Sequence, residues 1–130
     1  MQFSFRVFEV NQAASSGSYV VGFRAEGRTT SCGNVTVTIE SVRHPEYDDQ
    51  ELQEMALKNM TEGFCLVASD LNIGVEVSIH NLILHPVDYK PNRQRMYSAC
   101  YLAEAIGHED PGTFLIKALP TSIRDALSLT

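Results

Sequence analysis

The chain has 130 residues, 44% hydrophobic and 20% charged, and a formal net charge of −6 from 16 acidic and 10 basic side chains. That length suits a single domain spanning residues 1–130, and the composition is that of a folded chain, which sets disorder aside. No apolar run approaches the ~20 residues of a membrane helix and no leader opens the sequence, so a cytoplasmic protein without a membrane partner is expected.

Gln2–Val10 places Phe3, Phe5 and Val7 on one face, then Phe8 and Val10 on the other, a phase switch that predicts a bulge near Val7-Phe8. The small polar stretch 11–18 reads as a loop. From Ser18 to Glu26, Tyr19, Val21, Phe23 and Ala25 alternate with outward Arg24 and Glu26, and 27–34 is a turn. Val35, Val37 and Ile39 then alternate with Thr36, Thr38 and Glu40 across 35–42. These first three strands read as antiparallel, and one wet face per strand puts helices on one side of the sheet only.

Residues 48–72 form the organising element. Leu52, Met55, Ala56, Met60, Phe64, Val67 and Leu71 recur at the spacing of one buried helical stripe. Asp48 with Glu51 gives a capping-box start, and Asn72-Ile73-Gly74 a stop. Gly63 sits on the stripe, where a close approach to the sheet is expected. A fourth strand follows, with Val75, Val77, Ile79 and Ile83 inward. Pro91 opens a second helix with Met96, Ala99, Cys100, Ala103 and Ile106 inward and Gly107 as its stop. Phe114–Leu119 favours an edge strand over a helix start, and Pro120 begins a short last helix with Ile123, Ala126 and Leu127 inward. The expected fold is α+β. It is a two-layer sandwich of a four-stranded, mostly antiparallel sheet with two main helices on one face, in β-β-β-α-β-α order, plus a short C-terminal helix.

Gly33-Asn34-Val35-Thr36-Val37-Thr38-Ile39-Glu40, the helix end Cys65-Leu66-Val67-Ala68-Ser69, Gly74-Val75-Glu76-Val77-Ser78-Ile79 and His85-Pro86-Val87-Asp88 form a series. Over residues 33–106 this series resembles the fourth domain of translation elongation factor G. The resemblance implies that domain's β-β-β-α-β-α fold and, as an alternative function, a ribosome- or RNA-associated role. The basic glycine-rich stretch usual before the third strand is replaced here by 27–33, with one arginine and Cys32.

Chemistry-bearing motifs are sparse. Cys32, Cys65 and Cys100 are an odd, widely spaced set that suits reduced and mostly buried thiols. No nucleophile elbow and no phosphate loop is present, and no cofactor or metal is expected. His44, His80, His85 and Asp88 are a conceivable cluster without zinc spacing, and surface or capping histidines are the favoured reading. A small enzyme using His85 and Asp88 is a further alternative, although the chain leans away from catalysis. Lys90, Arg93 and Arg95 surround a helix start and could bind an anion. Tyr89, Tyr97 and Tyr101 rim the core in the favoured reading, with an interface patch as the other. Five acids within nine positions, Glu46, Asp48, Asp49, Glu51 and Glu54, exceed what helix capping requires. They point to a docking face for a basic protein partner, of immunity or inhibitor type, and nucleic acid is disfavoured by the overall acidity.

Overall fold

In the computed structural model, which describes residues 1–11, 18–43, 49–86 and 88–119, the expected element order is present. Strands β1 (Gln2–Asn11), β2 (Tyr19–Thr30) and β3 (Val35–Ile39) precede helix α1 (Gln50–Leu71), strand β4 (Gly74–Ile83) and helix α2 (Pro91–Ala105). A 3-10 turn at Pro111–Thr113 runs into the one-turn helix α3 (Phe114–Lys117). The segment 114–117 is thus helical, contrary to the edge strand favoured for it. A turn-forming Pro-Gly-Thr leads in, and Phe114 is buried beside His108 with ring centroids 5.1 Å apart. The helix expected after Pro120 lies outside the described residues.

One four-stranded sheet has the order β1-β2-β4-β3. β1 pairs with β2, and β2 with β4, antiparallel; β3 pairs with β4 parallel. The first three strands are therefore not an antiparallel run: β4 enters between β2 and β3, and α1 is the crossover between two parallel neighbours. A crossover needs a long connection, and the 22-residue α1 supplies it. α1 lies against β3 and β4, and α2 against β1 and β2, so both helices cover the same face. Between the layers, Phe3, Val7, Val21, Phe23, Val75, Val77 and Ile79 meet Ala56, Met60, Phe64 and Val67 from α1 and Ala99, Leu102 and Ala103 from α2.

The bulge is in β4, not in β1. The β1–β2 register runs without a break from Gln2↔Arg28 to Asn11↔Tyr19. Phe8 and Val10 simply stay on the uncovered face, 54% and 43% exposed. In β2–β4 the register shifts between Gly22 and Arg24, where Phe23 faces both Asn81 and Leu82. Asn81 takes the left-handed conformation, φ +54°, which a short polar side chain tolerates better than others. Its orphaned N–H donates to Ser41 Oγ at 2.9 Å, and Leu82 N–H to Ser41 O at 3.0 Å. Beyond the bulge the inward residues are Leu82 and Leu84, and the expected inward Ile83 turns to the open face.

α1 begins one residue later than the predicted cap. Asp49 is the N-cap, its Oδ1 accepting from Glu51 N–H at 3.0 Å and Leu52 N–H at 3.3 Å. Asn72, φ +56°, ends the helix in the left-handed conformation, and Ile73 N–H reaches back to Ala68 O. Of the predicted stripe, Ala56, Met60, Phe64 and Val67 are buried, whereas Met55 and Leu71 are exposed. Gly63 is buried against α2 and not against the sheet. A Cβ there would come within 2.5 Å of Arg95 O and 3.2 Å of Ala99 N, so the bare backbone lets the two helices touch.

Candidate functional site

The acidic corner forms around the start of α1. Glu46, Asp48 and the neighbouring His44 lie outside the described residues. Asp49, Glu51 and Glu54 are exposed. Asp49 is committed to capping, and the two glutamates point to solvent with Met55, 43% exposed, beside them. Carboxylates here are favoured by the positive end of the helix dipole. Among the described residues no lysine or arginine forms an ion pair with these three acids, although other acids of the chain are paired. Glu26 holds Arg24, Glu76 holds Arg28 at 2.6 Å, and Glu62 holds Arg95 at 3.1 Å.

The three cations at the start of α2 do not converge. Lys90 is the N-cap without a side-chain cap bond. Arg93 lies over the Tyr19 ring, 4.5 Å from its centroid, on the β2 side. Arg95, on the opposite flank of the helix, is spent internally. Its guanidinium donates to Ala118 O (2.6 Å), Asn59 Oδ1 (2.9 Å), Glu62 Oε2 (3.1 Å) and Asn92 Oδ1 (2.6 Å). It ties α1, α2 and the chain after α3 together. An anion at this helix start would meet Lys90, with Arg93 turned toward Tyr19.

His85 and Asp88 come together, as the spacing allowed, with Nδ1 3.5 Å from Asp88 Oδ2. Ser18 Oγ donates to Asp88 Oδ1 at 2.9 Å. The carboxylate stands between hydroxyl and imidazole, so the histidine is not placed to take the serine's proton. The trio staples the start of β2 to the loop after β4, which Val20 N–H also joins through Asp88 O (3.1 Å). His80 is distant from it on the open face, 3.9 Å from Glu26. Among the described residues no group of three or more His, Cys, Asp or Glu is arranged to hold a metal.

Tyr97 and Tyr101 pack on the core edge, and Tyr89 is buried. Burial first, then the Tyr19 hydroxyl 3.2 Å away, pushes the Tyr97 hydroxyl up to about 12. Tyr101 donates to Glu9 Oε1 at 2.5 Å, and that bond, with burial, raises it to about 12 as well. Cys65 is exposed and Cys100 half-buried, so the thiols are less buried than expected, and all three are free. Burial still pushes both of these thiols up.

The sequence reading passed over the open face of the sheet as a site. Register arranges its side chains in rows across the strands. Gln2, Arg28, Glu76 and Thr36 form one row, and Ser4, Glu26, Ser78 and Thr38 the next. Then come Arg6, Arg24 and His80, and finally Phe8, Gly22 and Ile83. A shallow trough of about 1140 Å³ lies over the first three rows. Alternation alone puts Arg6, Arg24 and Arg28 on the wet face, and a β1–β2 hairpin register would have set the first two side by side. The Arg28 guanidinium beside Glu76 holds that carboxyl below its ordinary range.

No protein-family model matches the sequence, and no curated protein matches it. Solved structures do share the fold. Homoserine kinase from Cytophaga hutchinsonii superposes with a TM-score of 0.55 and 16% identity over 88% of this chain and 40% of that one. A crystal structure from Thermus thermophilus gives a TM-score of 0.52 and 11% identity over 80% of this chain. The matched part is 15% of that protein, so the chain corresponds to a minor piece of both. At such identities the likeness is one of fold alone.

Proposed function

We propose that the chain is a small binding protein, not an enzyme, whose acidic corner at the start of α1 docks on a basic protein partner in the manner of an immunity or inhibitor protein. The observation that carries this reading is that Glu51 and Glu54 stand exposed and, among the described residues, without a cation, beside the exposed Met55. Charge of one sign held on a rigid helix start speeds encounter with the opposite sign and rejects like-charged partners. The adjacent apolar side chain supplies contact area that salt does not screen. Glu46 and Asp48 extend the same run in the sequence. Affinity capture of basic proteins from the chain's own cells at low salt, repeated with Glu51→Lys/Glu54→Lys, tests it. A partner retained by the native chain, released at high salt and lost with the charge reversal is the expected result. Capture that ignores both changes ends the reading.

The ribosome- or RNA-associated alternative draws support from the β-β-β-α-β-α order of the whole fold, whose last four elements, β3 to α2, fall within residues 33–106, the segment resembling the fourth domain of elongation factor G. Co-sedimentation with ribosomes is its check.

A further inference from the structure

We propose that the open face of the sheet is a second docking surface, which takes an acidic segment of a partner protein that carries an apolar side chain beside its carboxylates. This surface is separate from the acidic corner, and the proposal does not depend on that reading.

The charge on this face runs against the rest of the molecule. Arg6, Arg24 and Arg28 stand in the trough with two carboxylates, Glu26 and Glu76, in a chain whose net charge is −6. Glu40, whose N–H continues the ladder to Ile79 O at 2.7 Å, is the next carboxylate along the β3 edge. Arg24 is held by Glu26 and Arg28 by Glu76. Arg6 has no ion pair among the described residues, and it lies directly opposite Arg24. Cross-strand neighbours of this kind have Cβ atoms about 5 Å apart, and like charges at that spacing repel. A carboxylate laid between the two guanidiniums would remove the repulsion and accept hydrogen bonds from both, the forked geometry for which arginine is suited. His80, on the other side of Arg24, extends the row across three strands with an imidazole that can donate a further hydrogen bond.

The adjoining row is apolar. Phe8 is 54% exposed, and Gly22 beside it leaves the room that Ile83 fills: a Cβ at Gly22 would stand 2.5 Å from Ile83 Cδ1. Val10, 43% exposed, continues the strip along β1. One aromatic ring and two aliphatic side chains next to a pair of arginines are complementary to a segment that alternates acid and apolar residues. A nucleic acid fits the same face poorly. Base-stacking sites use several aromatic rings along a basic groove, whereas here a single phenylalanine is exposed and two glutamates stand in the trough.

The experiment uses the full chain immobilised at low salt and a phage-displayed library of random twelve-residue peptides. Enrichment of sequences with two or more Asp or Glu next to Phe, Leu, Ile or Val is expected, with binding of a representative peptide weakened at least tenfold by Arg6→Glu/Arg24→Glu. Arg6→Gln and Phe8→Ser, milder changes on an exposed strand, should each weaken it several-fold, while the thermal unfolding curve of each variant shows the fold retained. Failure to enrich, enrichment of basic peptides, or a peptide whose affinity is unchanged in folded variants overturns the proposal. So does a thymidine octanucleotide that binds more tightly than the selected peptides and is lost with the same arginines.

Discussion

The start of α1 and the open face of the sheet both present charge to water, but they hold it differently. At the helix start the described carboxylates lie along one element and share one sign; Asp49 caps the helix, and Gln50 Nε2 donates to Glu54 Oε1 at 3.5 Å. On the sheet the charges come from β1, β2 and β4, both signs are present, and most are partnered across or along strands. A helix collects like charge because neighbours in sequence remain neighbours in space and the dipole supports them. A sheet assembles its rows from residues far apart in sequence, such as Arg6 and His80, 74 positions apart, so its surface is decided by register. The two proposed roles follow that difference: long-range attraction of a basic partner at the first surface, close recognition of a short segment at the second.

Several changes would break or sharpen that contrast. The largest effect on stability is expected from Gly63→Val. It forces α1 away from Arg95 O and loosens the helix layer that carries the acidic corner, while leaving the sheet rows in place. A loss of about 2–3 kcal/mol in denaturant unfolding is expected for such overpacking, with Gly63→Ala costing less. Asp49→Ala removes the cap and frays the corner, and should cost about 1 kcal/mol without touching the sheet. Arg28→Ala breaks an exposed pair on the sheet. It should change stability by no more than about 0.5 kcal/mol, which the same unfolding assay would register as near neutral.

The smallest effect is a pH dependence, carried by one carboxylate away from both surfaces and one on the open face of the sheet. His108 Nε2 lies 2.8 Å from Asp70 Oδ2, and this hydrogen bond holds the Asp70 carboxyl below its ordinary value of 3.8. Because the folded value is the lower one, the contribution is present above pH 3.8 and is lost as pH falls through the folded value. Glu76, lowered first by its bond from Arg28, behaves in the same sense below its ordinary value of 4.5. Unfolding midpoints measured from pH 6 down to pH 2 should fall, and Asp70→Asn should flatten the drop.

Much of the architecture was legible in the sequence, and the misses have definite causes. The periodicity of 48–72 gave α1 to within two residues, but Asp48 and Asp49 are equally good caps, and only the backbone turn chose Asp49. The exposed Phe8 and Val10 imitated a phase switch and drew the bulge to β1. The true bulge in β4 rests on Asn81, whose conformation is unremarkable as a residue type, and on Ser41 from forty positions away. Gly63 marked a close contact correctly, while the identity of its partner depended on where α2 lay. Of the candidate site residues, Asp49, Glu51 and Glu54 were placed as expected on an exposed helix start. Arg93 and Arg95 were separated by the helical turn between them. Arg6, Arg24 and Arg28 were overlooked because no local motif joins them.

Local order, then, was determined by the chain's own spacing: strands of alternating residues, a striped helix of 22 residues, and an acidic run at its start. Those patterns reflect which side chains water rejects, and each is complete within a few residues. The insertion of β4 between β2 and β3, the shift at Asn81, the helix contact at Gly63 and the row of Arg6, Arg24 and His80 were decided by tertiary structure. Each of these depends on backbone hydrogen bonds or contacts between distant segments, for which every strand offers the same donors and acceptors whatever its sequence.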